Sequence, residues 1–144
     1  QGKKETKKRI AKECVHDESI GAHFVELKGV AVDLERLRRW LAKVLWAHIK
    51  VKENEGQKEE KKTESTSFVM RMKGLLRVKD STERHYLQAV QELFEITTGP
   101  RWSQQERDAS SKIVIIGQRL DAKALEKGLR GCCVAVDDSS ASSR

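Results

Sequence analysis

"VMRMKGLLRVKD", residues 69–80, decides the fold class, because its apolar and basic residues alternate as in a half-buried β-strand. A strand points successive side chains to opposite faces. One face then holds Met70, Met72, Gly74, Leu76 and Val78, and the other carries Arg71, Lys73 and Arg77. That basic stripe admits two readings. It is the solvated outer face of an antiparallel strand, or it is a surface that meets a partner of opposite charge.

The segments around it extend the pattern. "KDSTE" (79–83) is a turn rich in Asp and Ser, and "RHYLQAVQELFEI" (84–96) follows as a hairpin partner. Leu87, Val90, Leu93 and Phe94 also have helical spacing, but the preceding strand and turn favour a strand here. "TTGPRW" breaks the chain at Gly99-Pro100. "KIVIIG" (112–117) is a short, apolar, β-branched run that predicts a central strand buried on both faces. Asp121 then caps a helix with Ala122, Leu125, Leu129 and Cys132 along one side. Upstream, "SIGAHFVELKG" predicts a strand over 20–28, and Asp33 caps a helix. Leu34, Leu37, Leu41, Val44, Leu45 and His48 recur along that helix at three and four residues, with Trp40 beside the stripe. The order β-α-β-β-β-α makes this an α+β domain, an antiparallel sheet of about four strands backed by two main helices.

The 144 residues suit a single domain. Its body spans 14–133, between a basic tail (1–13) and a polar tail (134–144) read as disordered. Residues 51–67, with one apolar residue and alternating charge, read as a flexible loop insertion. No run approaches the roughly 20 apolar residues of a membrane span, and the N-terminal residues lack the apolar core of a signal peptide. Three cysteines without framework spacing suit a reducing compartment, so the chain reads as intracellular and cytoplasmic, with the nucleus left open. The net charge is +7, of which the tail holds +4, so the globular part is nearly balanced. The tail is a solvated linker or a localisation or nucleic-acid patch. An independent nucleic-acid module is the alternative function, but the stripe has no aromatic residues interleaved for base stacking. Only His85 and Tyr86 lie near.

Catalytic motifs are absent from the sequence. It contains no G-x-x-x-x-G-K-[ST], no G-x-G-x-x-G, no nucleophile motif, no H-E-x-x-H and no paired C-x-x-C. It therefore reads as a non-enzyme with no cofactor of its own. Cys14 and His16 would point the same way in an extended segment, and His23 follows, so these three are candidate zinc ligands. The competing reading is an exposed linker, because a structural zinc site needs four ligands. Cys132 and Cys133 read as one core and one incidental thiol on the last helix.

Four stretches together carry a resemblance: "MRMKGLLRV", "LQAVQELFE", "RW" and "SKIVIIGQRLDAKAL". In order and spacing they resemble the C-terminal domain of the CobW-type GTPases, nearest to the eukaryotic zinc-chaperone members. That family's R-x-K-G strand falls here on Arg71, Lys73 and Gly74, and its Trp on Trp102. Its V-x-I-G-x-x-L-D segment falls on Val114, Ile116, Gly117, Leu120 and Asp121. "HDESI" (16–20) and "LRRWLAKVLW" (37–46) fit the start of the domain. Ala89 and Gln91 stand where the family usually has Gly and His, which alters whatever that His contributes. Cys132-Cys133 does not match the family's Cys-x-Cys-Cys motif. The resemblance implies that this chain is part of a longer protein whose GTPase domain uses GTP, magnesium and zinc. It further implies that this domain docks through Arg71, Lys73, Gly74 and Arg77 onto its own GTPase domain or onto a client metalloenzyme.

Overall fold

The computed structural model describes residues 19–53, 67–106 and 108–136, with backbone only for 48–53. The basic tail, Cys14, His16, the side chain of His48 and the greater part of the polar loop and of the C-terminal tail lie outside the described residues. The elements run β1 (Ile20–Leu27), β2 (Val30–Val32), α1 (Leu34–Glu53), β3 (Phe68–Arg77), β4 (Glu83–Val90) and β5 (Leu93–Arg101). A 3₁₀ turn (Gln104–Glu106), β6 (Ser111–Gln118), α2 (Ala122–Gly131) and β7 (Cys133–Ala135) follow. The main sheet is antiparallel with five strands in the order β1-β6-β3-β4-β5, and β2 pairs with β7 in a small second sheet.

The architecture is α+β as expected, but the sheet has one strand more than the sequence predicts. The run at 84–96 divides at Gln91, whose backbone takes a left-handed φ of 53°. The Gln91 N–H donates to the Met70 carbonyl at 2.9 Å, and the Trp46 Nε1 of α1 donates to the Glu92 carbonyl at 2.9 Å. These two bonds hold a tight turn at which β4 doubles back into β5. β5 then continues through Gly99-Pro100 instead of breaking there, because an edge strand has one row of N–H groups that need no partner.

The core lies between one face of the sheet and the two helices. Leu37, Leu41 and Leu45 of α1 and Leu129 of α2 meet Leu27, Met72, Leu76, Leu87, Ile113 and Ile115, all essentially inaccessible to solvent. The α1 stripe is therefore the predicted one. Asp33 accepts the N–H groups of Glu35 and Arg36 at 3.0 and 3.2 Å and starts α1, while Asp121 accepts that of Ala124 at 3.1 Å and starts α2. The hydrogen bond from the Arg36 amide, opposed by desolvation, leaves the Asp33 carboxyl below its ordinary range.

Three details differ from expectation. Between Val69 and Arg71 the register of β3 against β6 shifts by a β-bulge, so Val69 and not Met70 turns into the core. β6 is buried on one face only, with Val114 38% exposed, because both helices lie on the same side of the sheet. Cys132 follows the last helical residue as the cap of α2, and Cys133 opens β7, which carries the folded body on to Ala135.

Candidate functional site

Among the described residues no element covers the face of the sheet turned away from the helices, and the strand register fixes what that face presents. Cross-strand partners form rows. The first row, from β1 to β5, is Ala22–Ile116–Arg71–Val90–Leu93. The second is Phe24–Val114–Lys73–Gln88–Glu95, and the third is Glu26–Lys112–Leu75–Tyr86–Thr97. Beyond them Arg77 faces Arg84. A column of cations thus runs down the middle of the face, flanked by exposed Phe24 and Val114 on one side and Tyr86, Val90 and Leu93 on the other.

The cations differ in their pairing. Arg84 lies 4.9 Å above the Trp102 ring and is ion-paired with Glu106. Glu106 also accepts the Ser103 N–H at 3.0 Å and the Ser103 hydroxyl at 2.8 Å. Those Ser103 bonds, opposed by desolvation and supported by the Arg84 charge, hold its carboxyl below the usual range. Arg71, Lys73, Arg77 and Lys112, by contrast, have no carboxylate within ion-pair distance among the described residues. The carboxylate across from Lys112, that of Glu26, is engaged by the Ser110 hydroxyl at 2.7 Å and by Lys28 at 3.9 Å.

The remaining motif residues shape the scaffold beneath this face. Gly74 lies on the core side of β3, where an added Cβ would sit 3.1 Å from Ile113 Cγ1 and 3.4 Å from Leu87 Cβ. It supports the stripe from behind and does not face a partner. Gly117 lets β3 approach β6 at the bulge, since a Cβ there would fall 2.3 Å from the Phe68 carbonyl oxygen. Trp102 donates its backbone N–H to Thr82 at 3.0 Å and carries Arg84 on its ring, so it fastens the β5–β6 connection to the turn between β3 and β4. The Nε1 of Trp102 and the Nε of Arg84 are buried without a partner among the described residues.

The candidate metal ligands are not brought together in the described part of the chain. His23 sits on the core side of β1, opposite Ile115, with its Nε2 buried and without a hydrogen-bond partner among the described residues. Among the described residues no three His, Cys, Asp or Glu side chains cluster as a metal ion would need. The Cys132 thiol is pushed up to about 11, first by burial and then by the adjacent Cys133, whose own thiol is raised by burial. Both thiols stay protonated near neutral pH and are poor metal ligands in this state.

Lys112, Tyr86 and Phe24 join the stripe only through the sheet order, which places β6 between β1 and β3. Lys112 opens the run "KIVIIG", and a strand taken as buried on both faces hides the outward direction of its first residue. The signal that would have exposed it is the Lys itself, since a charged residue is rarely buried unpaired.

The family model described as the cobalamin synthesis protein cobW C-terminal domain matches residues 23–133. Among solved structures, the Zn(II)-bound YjiA GTPase from E. coli shares the fold at a TM-score of 0.60 and 21% sequence identity, over 82% of this chain and 31% of that one. A Zn(II)-bound triple mutant of YjiA GTPase matches at 0.60 and 21%, over 79% and 30%. The chain therefore spans less than a third of the length of these structures. No helix among the described residues is long and apolar enough to cross a membrane.

Proposed function

The chain belongs to the CobW C-terminal domain family, and on that premise we propose that it is the regulatory, partner-docking domain of a GTP-dependent protein that delivers zinc to client metalloenzymes. The observation that carries this reading is the group of cations, Arg71, Lys73, Lys112 and Arg77, without an ion pair among the described residues, set among exposed apolar side chains on a sheet face that no described element covers. The apolar flanks provide area to bury, while the cations fix register and speed association with an acidic surface. In this reading the surface belongs to the GTPase domain of the same protein or to the client. Coupling follows if the docked arrangement has unequal affinity for the GTP and GDP states, because binding free energies at two linked sites are reciprocal. Zinc and GTP enter from the zinc-bound GTPase that shares the fold, and GTP hydrolysis would be the work of the partner domain.

The test is the double variant Arg71→Glu/Lys73→Glu, titrated with a CobW-family GTPase domain loaded with GTP or GDP. Docking should weaken by at least tenfold while the melting temperature stays near that of the parent. Unchanged docking, or a collapse of thermal stability, would sink the reading.

Nucleic-acid binding is the second reading, and Phe24 and Tyr86 on the same face as the cations favour it. They lie three strands apart, about 14 Å at ordinary strand spacing, with no aromatic side chain between them in these rows. Bases could not stack continuously across that gap, so the protein partner is preferred. A steep fall in affinity for a single strand as salt rises would reverse the preference.

A further inference from the structure

Between the second and third rows of the open face lies a trough of about 350 Å³, small but within the usual range of ligand pockets. Its walls are Lys73, Gln88 and Glu95 on one side and Lys112, Leu75, Tyr86 and Thr97 on the other. Resting on the docking reading above, we propose that this trough is the anchor of the interface. Its occupant is a short extended segment of the partner protein, bearing an acidic side chain at one end and a basic one about three residues away.

The polarity of the trough argues for that occupant. Lys73 and Lys112 are diagonal neighbours on β3 and β6, and neither has an ion-pair partner among the described residues. Two adjacent unpaired ammonium groups repel each other, and a carboxylate between them relieves that repulsion. At the far end, on β5, Glu95 has no ion pair among the described residues and faces neutral Gln88 across the ladder. A purely acidic ligand would be repelled there, so the site selects a segment with charges of both signs. From β6 to β5 is three strand spacings, about 14 Å, which an extended chain crosses in about four residues.

The middle of the trough is apolar and held in place. Leu75 and Tyr86 are cross-strand partners. A Cβ on Gly99 would lie 2.4 Å from Tyr86 Cε2, so the phenol ring occupies space that only glycine at that position leaves free. Tyr86 is 41% exposed and lines the trough. A preset aromatic wall adds contact without further ordering on binding.

The experiment uses the full 144-residue chain, labelled with ¹⁵N, and three capped tetrapeptides. These are Ac-Glu-Leu-Thr-Lys-NH₂, an acid-only form with Glu at both ends and a base-only form with Lys at both ends. Inorganic phosphate is a fourth probe. The mixed peptide should cause saturable shifts at residues 73–75, 86–88, 95–97 and 112 below about 10 mM, in the weak range expected of four residues. Lys73→Gln/Lys112→Gln should weaken it at least fivefold. Glu95→Gln should abolish its advantage over the acid-only form. Absence of saturation by any peptide at these residues would overturn the proposal, and so would phosphate binding as well as the mixed peptide does. If the tetrapeptides fail while charge reversal at Arg71 and Lys73 still abolishes docking, the docking reading stands without this anchor. If the mixed peptide binds but the reversed variant still docks, the trough is real and the docking reading falls.

Discussion

Gly117→Ala tests whether the face described above depends on close strand contact. The added methyl would lie 2.3 Å from the Phe68 carbonyl oxygen, 2.7 Å from Leu120 Cδ2 and 3.0 Å from Val69 Cα. Leu120 can rotate away, but the Phe68 carbonyl and Val69 Cα are backbone at the bulge, so β3 must withdraw from β6 by about 1 Å to restore ordinary contact. Overpacking of this kind costs ~1–3 kcal/mol, and a backbone obstacle places it near the top of that range. For a chain of this size about 3 kcal/mol lowers the melting temperature by about 10 °C. Gly21→Ala provides the control. Gly21 is the register partner of Gly117 on β1, yet a Cβ there meets nothing within 4 Å. That substitution should be neutral or stabilising by ~0.5 kcal/mol, because alanine loses less backbone freedom on folding than glycine. Urea unfolding followed by tryptophan fluorescence, alongside thermal melts, measures both. The reasoning is refuted if Gly117→Ala lies within about 0.5 kcal/mol of the parent, a shift typical of an uncrowded surface site, or if the two variants lose equal stability.

Two further outcomes follow from the geometry. Asp121→Ala removes the acceptor for the Ala124 N–H and should cost ~1 kcal/mol in urea unfolding, while Asp121→Asn should retain most of it. The Glu106 carboxyl is held below its ordinary value of 4.5 when folded, so the stability it contributes is present above that pH and is lost as pH falls through the folded value. The difference in urea midpoint between the parent and Glu106→Gln should therefore be largest above about pH 5 and shrink towards pH 3, and a difference independent of pH would contradict this.

The elements with strong periodicity were legible in the sequence, and those made by long-range pairing were not. α1 carries Leu37, Leu41 and Leu45 on the predicted stripe, and Asp33 and Asp121 cap as their positions suggest. β2 and β7 have three residues each, too few for any alternation to register, and exist because they pair with one another. The division between β4 and β5 escapes because Gln91 takes a positive φ without being Gly or Asn, the usual turn signals. That conformation is held by bonds to Met70 and from Trp46, which no local window contains. Of the site, Arg71, Lys73 and Arg77 were legible as one face, since their spacing lies within a single strand. Lys112 and Tyr86 were not, because only the order β6-β3-β4 makes them neighbours of that stripe.

The two arginines that face each other across β3 and β4 separate the charge that the scaffold uses from the charge on which the docking proposal rests. Like charges directly opposite on a sheet are destabilising. At Arg84 the fold relieves this by stacking the guanidinium on Trp102 and pairing it with Glu106, so that cation belongs to the scaffold. Arg77 receives no such partner among the described residues, and neither do Arg71, Lys73 or Lys112. Yet the backbone beneath them is tightly held: Gly74 and Gly117 admit close approach, and the Arg77 N–H donates to the buried Ser111 hydroxyl at 2.8 Å. The motif strand thus combines a rigid core side with charge on its outer side that no described residue neutralises. Rigidity lowers the ordering cost when a partner docks, and unpaired charge keeps the electrostatic gain available until it does. On the docking reading proposed above, a partner would draw on both properties.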